Sequence, residues 1–378
     1  MRALALALTV AVLAVPAAAA RGPASKIAYV HGRAAQVIYV DSALRQPIVL
    51  PHTGVPHWSG DGRLVSFGGY IVAGRVDLPT ADLSWAPTGE RAAYVTKDGG
   101  VGIWTPRGRR AVLPGGWGAS AVASSADGAL AIGRAVCKGA CGLPAHTEVW
   151  VWRNGSLRLI ARTDGGRPVP FAWHNGHVLW WDWPNSASIA ADGVALYEDE
   201  KRIAAGLMFP DYVAVCGRHL AVTAGGDRFT TSGKRILFDG RDVSRDRARS
   251  WVAPTCTAGG RLVAAAGRNW EEPRFGSEHR ALWQLLPARR RLTHPPAGWT
   301  DEYPHVLPNG DVLFVRTQQI PFRRNGQWWT TTRGRLELLR GASLRRLHEL
   351  TITGPDIGSD FVNYYGHYDW PSRLAFAP

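Results

Sequence analysis

One short pattern returns along almost the whole chain: an apolar or aromatic residue, a polar turn that contains glycine, and then an apolar run. It is clearest in HWSGDGRLVSF (57–67) and SWAPTGERAAYV (84–95). Further copies are ASSADGALAIG (123–133), AWHNGHVLWW (172–181), AVCGRHLAV (214–222), APTCTAGGRLVAAA (253–266), HVLPNGDVLFV (305–315) and, without glycine, YDWPSRLAFA (368–377). A glycine turn between two strand-like runs predicts a β-hairpin. Asp61 is replaced by threonine, asparagine or alanine in other copies, so we interpret it as a turn residue and not as a metal ligand.

The spacing of these turns predicts how the hairpins are arranged. The apolar runs begin near residues 27, 64, 91, 129, 178, 220, 262 and 312, at intervals of about 40 residues, which is typical of a propeller. Each interval contains four short strands, and a four-stranded sheet cannot bury both faces alone, so the units stack around an axis. We therefore predict an all-β fold, a single closed β-propeller of seven to eight four-stranded blades. The short second unit, LVSFGGYIVAGRVDLP (64–79), leaves both counts open.

The turn pattern W-S-x-D-G followed by a β-run, at residues 58–67 and 85–95, resembles the repeat of TolB-like β-propellers of the exported bacterial type. It is also similar to the wider group of WD-like repeats. The resemblance covers roughly residues 26–378. It implies the propeller fold, but a shared fold says little about function. The sequence departs from the pattern in several turns, since only Asp61 and Asp127 keep the aspartate.

The two ends of the repeat region predict how the ring closes. The segment KIAYVHG (26–32) has the character of a second strand, so its blade needs a first strand from elsewhere. The C-terminal segment YYGHYDW (364–370) is the candidate. The N- and C-terminal strands would then share one sheet, which removes the exposed edge of an open array.

The first twenty residues, MRALALALTVAVLAVPAAAA, predict a secretory signal peptide: one basic residue, an apolar stretch and small residues at its end. The propeller domain would then comprise residues 21–378, and the protein would be exported to the periplasm, the cell envelope or the medium. The apolar stretch is short for a membrane span, and no transmembrane segment is expected after its removal. An uncleaved anchor is the alternative.

Four cysteines fit an oxidising compartment. Cys137 and Cys141 lie in CKGAC and could form a local bridge. Cys216 and Cys256 end the first strands of consecutive units, where neighbouring blades approach most closely, and we predict that they pair. The alternative is that both remain buried thiols. No histidine cluster accompanies them, and no metal or cofactor motif is found.

The loops predict which face of the disc binds a ligand. The turns between first and second strands are short, whereas long insertions at residues 136–148, 181–193, 267–280 and 316–334 fall on the opposite face. Candidate ligand-face residues in these insertions are Trp181, Asp182, Trp183, Trp270, Glu271, Glu272, Trp328 and Trp329. Tryptophan rings stack on sugars and cations. The alternative for each tryptophan is packing between blades.

The net charge is +14, and arginine supplies most of the basic residues. A basic chain can indicate a polyanion partner, but the arginines are scattered along the chain, and codon bias is the alternative explanation. Three arginine groups, at residues 109–110, 289–291 and 345–346, fall at the start of the outer strand of a unit. Charged outer strands discourage edge-to-edge pairing, so we interpret these groups as a solvated, protective edge. We predict a monomer. Nucleic acid is not a predicted partner, because no basic groove or binding motif is present.

Catalytic motifs are scarce. The sequence has no G-x-S-x-G, no zinc-protease histidine pair and no glycine-rich loop that opens a helix. We therefore predict a binding or scaffold module whose partner is a protein or a cell-envelope polysaccharide. The alternative is a carbohydrate-active enzyme, a lyase or glycosidase, with two carboxylates or two histidines at the channel mouth. The sequence does not identify the ligand.

Overall fold

The protein is an eight-bladed β-propeller. A computed structural model describes residues 25–42, 44–80, 83–136, 146–164, 166–183, 194–206, 212–225, 233–268, 279–324, 327–352 and 370–378, without the side chains of residues 183, 319–332 and 351–352. Among these residues, 32 strands form eight antiparallel sheets of four strands each, and one 3-10 turn covers Trp370–Ser372. The predicted fold is confirmed, and the short second unit forms a blade of its own.

The strands follow one another blade by blade. Blade 1 contains β1 (Lys26–His31), β2 (Ala34–Tyr39) and β3 (Arg45–Val49); blade 2 contains β4 (Pro56–Trp58), β5 (Val65–Phe67), β6 (Tyr70–Ile71) and β7 (Val76–Asp77). Blade 3 contains β8 (Ser84–Trp85), β9 (Ala92–Val95), β10 (Val101–Thr105) and β11 (Gly108–Leu113); blade 4 contains β12 (Ala119–Ser124), β13 (Leu130–Val136), β14 (His146–Arg153) and β15 (Ser156–Thr163). Blade 5 contains β16 (Arg167–His174), β17 (His177–Trp183), β18 (Val194–Glu198) and β19 (Lys201–Gly206); blade 6 contains β20 (Val213–Cys216), β21 (His219–Ala224), β22 (Arg235–Phe238) and β23 (Arg241–Asp242). Blade 7 contains β24 (Arg249–Cys256), β25 (Leu262–Arg268), β26 (Ala281–Leu286) and β27 (Arg290–Arg291); blade 8 contains β28 (Trp299–Val306), β29 (Val312–Arg324), β30 (Gln327–Arg340) and β31 (Ser343–Ile352).

The last strand, β32 (Leu374–Phe376), closes the ring. It pairs antiparallel with β1, with Ile27 opposite Phe376 and Tyr29 opposite Leu374, and so becomes the innermost strand of blade 1. Closure by the C-terminus is therefore as predicted, but the predicted segment was wrong. Residues 364–369 lie outside the described residues, and Trp370 begins the 3-10 turn that precedes β32.

The core is divided among the contacts between neighbouring blades. Within the described residues, the buried apolar side chains form eight clusters, one at each blade junction. In strand β29, residues 312–315 are all apolar. Val312 and Phe314 pack towards blade 7, whereas Leu313 and Val315 pack towards blade 1. Successive side chains point to opposite faces of a sheet, so a blade that is covered on both faces needs apolar residues at every position.

Each junction is also tied by a polar or covalent link close to the axis. Three of these links are indole N–H donors from tryptophans at the ends of innermost strands. Going round the ring, the links are Trp58 Nε1 to Ala375 O (3.1 Å), Trp85 Nε1 to Ser66 Oγ (3.0 Å), Ser124 Oγ to Ser84 O (3.0 Å), Trp173 Nε1 to Ala123 O (3.2 Å), His174 Nε2 to Arg218 O (2.9 Å), the Cys216–Cys256 disulfide, Val306 N to Thr255 Oγ1 (3.3 Å) and Tyr303 Oη to Leu374 O (3.2 Å). The residue just before the repeated turn therefore often fastens its blade to the next.

The outer arginines lie on fourth strands, as predicted, but they do more than face solvent. Arg109 donates to the Asp77 carbonyl of blade 2 (3.1 Å). Arg345 donates to the Val40 carbonyl of blade 1. Both groups therefore link neighbouring blades at the outer rim, in addition to placing charge on an edge strand.

Asp61 acts as a turn residue. Its Oδ1 accepts hydrogen bonds from the Ser59 hydroxyl (2.7 Å) and the Arg63 backbone N–H (3.1 Å), and the Ser59 hydroxyl oxygen accepts from the Leu64 N–H (2.9 Å). Asp127 forms the same arrangement with Ser125 in blade 4. Short polar side chains that bond the following backbone stabilise such turns.

Blade 2 is compressed, and glycine allows the close approach. A Cβ atom on Gly60 would overlap the backbone of Pro87 and Thr88 in the turn of blade 3. Gly259 occupies a turn of the same kind in blade 7, but its nearest neighbour would be Thr257 Oγ1 at 3.8 Å. The two turns thus differ in the space that they leave for a side chain.

We expect Gly60→Ala to lower the free energy of unfolding by at least about 2 kcal/mol, because a methyl group there must displace backbone. Gly259→Ala should change it by less than about 0.5 kcal/mol. Urea unfolding of both variants measures the difference. Equal stability of the two variants would contradict the close packing of blades 2 and 3.

The predicted Cys216–Cys256 disulfide is present, with the Cα atoms 5.7 Å apart. Cys216 ends β20 and Cys256 ends β24, so the bond joins the innermost strands of adjacent blades. Cys137 and Cys141 lie outside the described residues, and their pairing stays a prediction.

The bond closes a loop with a sequence separation of 40, for which the chain-entropy model gives a stabilisation of about 4 kcal/mol. We expect the double variant Cys216→Ala/Cys256→Ala to lose a large part of this, measured by guanidinium unfolding. Non-reducing peptide mapping of the parent protein is the control. An undiminished midpoint in a correctly folded double variant would show that the bond adds no stability.

Candidate functional site

The innermost strands carry prolines and bulges, which are the local features that shape the central channel. Proline occurs at positions 56, 168, 170, 254 and 304, all on innermost strands. Proline cannot donate a backbone hydrogen bond and is therefore tolerated at the edge of a sheet. Bulges interrupt the pairing of β12, β16, β24 and β28 with their second strands. Bulges bend a strand and redirect its side chains.

Sites for small ligands typically have volumes of about 300–1,000 Å³. The channel contains a cavity of ≈ 570 Å³. Six innermost strands contribute to it, from blades 1, 2, 3, 4, 5 and 8. The lining residues are Pro56, His57, Trp58, Leu83, Ser84, Trp85, Ala121, Val122, Val169, Pro170, Phe171, Tyr303, His305, Pro371, Leu374, Ala375, Phe376 and Pro378. None of these described residues is Asp, Glu, Lys or Arg, although the chain as a whole carries +14.

Aromatic rings form one continuous side of this cavity. The His305 imidazole stacks on Phe376 with ring centroids 4.7 Å apart and planes at 13°, and Tyr303 lies 5.3 Å from the same phenyl ring. The Tyr303 backbone has a φ of 50° within the bulge of β28. Its hydroxyl is held by the Leu374 carbonyl. Three rings from two neighbouring blades are thus fixed in one group.

Burial controls the protonation of His305. Desolvation lowers its pKa from the usual 6.5 to about 4, because a charged imidazolium is disfavoured in an apolar environment. His305 is therefore neutral at pH 7, and the cavity wall carries no charge there. A neutral imidazole can donate one hydrogen bond and accept another.

The lining bears on the enzyme alternative. A glycosidase of the common kind uses two carboxylates, and none lines this cavity among the described residues. Two histidines, His57 and His305, do lie in its wall. The geometry thus suits recognition of an uncharged group better than carboxylate-based hydrolysis.

The predicted ligand-face residues are only partly described. Trp181 is 4% exposed and stacks on Phe171 (4.9 Å, 16°), so it packs between blades 5 and 6 and presents no face to solvent. Asp182 follows it and is half-buried, and burial raises the pKa of its carboxyl. The Trp183 side chain, Trp270, Glu271 and Glu272 lie outside the described residues, as do the side chains of Trp328 and Trp329. Trp181 and Asp182 are the candidates whose side chains the structure describes, and they are sequence neighbours on β17.

The insertion at 316–334 is more regular than predicted. Strands β29 and β30 continue through it as a paired hairpin, with Phe322 opposite Trp329 and Arg323 opposite Trp328. The expectation of a long loop there was wrong, because the Thr, Ile, Phe and Trp residues of the insertion favour strands and extend the ladder beyond the blade.

Acidic residues near this face serve in buried ion pairs. The Asp301 carboxylate is fully buried and receives both Nε (2.5 Å) and Nη2 (2.8 Å) of Arg316. Glu302 accepts from the Thr317 hydroxyl (2.8 Å) and lies 3.4 Å from Arg280. Because buried charges need partners, Asp301 stabilises blade 8 internally, and Glu302 also ties it to Arg280 beside β26 of blade 7.

Sequence analysis did not identify the channel residues. Phe171, Tyr303, His305 and Phe376 lie within or beside the repeated pattern and look like ordinary strand residues. A signal that could have helped to find them is proline, which is tolerated at sheet edges and occurs at five positions of the innermost strands. Among the described residues, no helix is long and apolar enough to cross a membrane, and no group of three His, Cys, Asp or Glu could hold a metal ion.

Comparison with known proteins gives likenesses in solved structures only. No family model matches the sequence, and no curated protein matches it. The TolB-like character of the turns therefore remains a resemblance. An acylaminoacyl peptidase in complex with Z-Gly-Gly-Phe-chloromethyl ketone is 12% identical, with a TM-score of 0.45, over 84% of this chain and 48% of that one. The Pyrococcus horikoshii acylaminoacyl peptidase in its orthorhombic crystal form is 11% identical, with the same TM-score and the same coverages.

The β-propeller domain of the Trilobed protease from Pyrococcus furiosus is 15% identical, with a TM-score of 0.37, over 70% of this chain and 95% of that one. This chain spans about half the length of the two peptidases. Likeness at this level concerns the arrangement of strands alone, and the blade count rests on the strand pairing of this chain.

The pKa of His305 predicts an acid dependence of stability. The folded pKa lies below the unfolded one, so the unfolded chain takes up a proton first as the pH falls. Stability is therefore present above about pH 6.5 and is lost towards pH 4, by on the order of 3 kcal/mol. In His305→Phe, which keeps the ring stack, the free energy of unfolding should change less between these pH values. Urea unfolding at several pH values measures it, and the exposed His294→Phe is the control. Identical slopes in the two variants would argue against a buried neutral His305.

Proposed function

We propose that this chain is a binding module that takes an uncharged saccharide of a glycan into its central channel. The observation that carries the proposal is the neutral, aromatic-walled cavity of ≈ 570 Å³ on six innermost strands. Aromatic side chains are large apolar surfaces, and the C–H face of a sugar ring is an apolar surface of matching shape. A charged ligand would find no opposite charge among the described lining residues.

The backbone of the channel wall supports the same ligand class. Each innermost strand pairs with a second strand on one side only, within the described part of the ring. Its other edge presents N–H and C=O groups in alternation. Sugar hydroxyls both donate and accept hydrogen bonds, so they suit such an edge. The Ser84 hydroxyl and the neutral His305 imidazole add two more groups of this kind.

We also propose that the protein is exported, so that the glycan would belong to the cell envelope or its surroundings. The basic, apolar and small-residue order of residues 1–20 supports export. The Cys216–Cys256 bond supports an oxidising compartment.

A substitution that fills the cavity tests the proposal. Ala121 lies at the bulge of β12 and lines the cavity. We expect Ala121→Phe to weaken binding at least tenfold on an array of neutral oligosaccharides and in a fluorescence titration with each array ligand. The new ring takes the space of the ligand and removes no wall contact.

Ala111→Phe is the matched control, because Ala111 is an exposed residue of the outer strand β11. It should bind within about twofold of the parent protein. Absence of any neutral saccharide ligand, or equal binding by a folded Ala121→Phe protein, would rule out the channel as the binding site. Release of new reducing ends from a bound oligosaccharide would instead favour the enzyme alternative.

A further inference from the structure

A second cavity, of ≈ 480 Å³, lies on blade 6 away from the channel. It is enclosed by the start of β22, the end of β23 and the connection that leads to β24. Its lining residues are Gly233, Lys234, Arg235, Asp242, Ser244, Arg245, Asp246, Arg247 and Arg249. None of them lines the channel cavity. Because β22 begins and β23 ends at this point, the cavity opens on the face that carries the connections between second and third strands.

The charge of this cavity is strongly positive. Five of its lining residues are basic and two are acidic. The basic residues come from two separate segments, 233–235 and 245–249, which the sheet brings together. An excess of positive charge around one concave space raises the local concentration of anions.

The two acidic residues form hydrogen bonds and ion pairs with neighbouring side chains and backbone of the wall. Asp242 Oδ1 accepts from the hydroxyl (2.7 Å) and the backbone N–H (3.0 Å) of Ser244. Burial opposes ionisation of Asp242, but these hydrogen bonds outweigh it and lower the pKa of the carboxyl. Asp246 Oδ2 receives Arg249 Nε (3.1 Å) and Arg289 (3.0 Å). Asp246 thus pairs with Arg249, and Asp242 attracts Arg235, but the five basic lining residues still exceed the two carboxylates by three charges.

The basic residues lie at different depths, with a lysine buried in the wall and two arginines exposed at the opening. Lys234 is 2% exposed and places its ammonium 5.4 Å from the centroid of the Tyr212 ring, so a cation lies within the wall. Arg235 and Arg245 are exposed at the opening, and neither side chain donates a hydrogen bond to another described residue. A guanidinium offers two parallel N–H donors that match the oxygens of a phosphate or sulfate, while a lysine acts as a point charge.

We propose that this cavity is a binding site for a phosphate or sulfate group. This proposal goes beyond the channel site, because the cavity lies on blade 6 and would bind an anionic group, whereas the channel would bind an uncharged saccharide. Arg235 and Arg245 take the oxygens of the group at the opening, and Lys234 stabilises its charge from within. The group can be carried by a small phosphate ester or by a sulfated glycan, because both present the same oxygens.

Calorimetric titration of the full chain tests the site, with inorganic pyrophosphate and a heparin tetrasaccharide as probes and maltotetraose as the uncharged comparison. We expect the double variant Arg235→Gln/Arg245→Gln to weaken binding of the charged probe at least tenfold. The variant Arg245→Lys, which keeps the charge and loses the two-donor geometry, should fall between it and the parent protein. Binding should also weaken as the salt concentration rises.

The matched control is Arg158→Gln/Arg202→Gln, which removes the same charge from exposed positions on the outer strands β15 and β19. It should bind within about twofold of the parent protein. Binding of pyrophosphate alone identifies a small phosphate ester as the ligand class, and binding of the tetrasaccharide alone identifies a sulfated glycan. Equal losses in the two double variants, or no binding of either charged probe at millimolar concentration, would overturn the proposal. Ala121 does not line the cavity of blade 6. The titration with charged probes can therefore succeed or fail independently of the channel proposal.

Discussion

Within the described strands, the innermost strand of each blade has one edge without a partner strand, and much of the structure is arranged around that edge. The edge tolerates proline at positions where a central strand would not, and it bulges where the chain must bend into the ring. The side chains that end these strands reach sideways to the next blade, as in Trp58 to Ala375 and Tyr303 to Leu374. The ring is thus held near the axis by side chains, while its sheets are held by backbone ladders.

The same edge creates the chemistry of the channel. A wall made of strand edges and rings is polar in its backbone and apolar in its side chains, and burial keeps His305 neutral within it. The cavity of blade 6 is the opposite case, with exposed arginines at its opening and its carboxylates hydrogen-bonded within the wall. Two electrostatic environments therefore exist in one ring, and they would select different parts of a ligand.

The fold could be predicted from local rules, whereas the candidate sites could not. Glycine turns and uninterrupted apolar runs specify hairpins whatever surrounds them, and the equivalent positions of Cys216 and Cys256 predicted their bond. Whether Trp181 faces a ligand or a neighbouring blade depends on the packing of blade 6, which no local pattern contains. Arg235 and Arg245 look like scattered surface charges in the sequence, because a complete hairpin separates them. The Phe376 ring that stacks on His305 comes from a strand near the C-terminal end of the chain, so the surroundings of His305 cannot be read from its neighbours in sequence.

The strand Leu374–Phe376 has a consequence for the order of assembly. It completes blade 1 by pairing with β1, although nearly the whole chain lies between them. Because synthesis proceeds from the N-terminus, β1 must wait with an open edge while the other blades are made, and contacts between distant residues form slowly. During that interval Trp58 and Tyr303 lack their acceptors, and one side of the channel is missing. Rigidity and the channel wall therefore arise in the same late step.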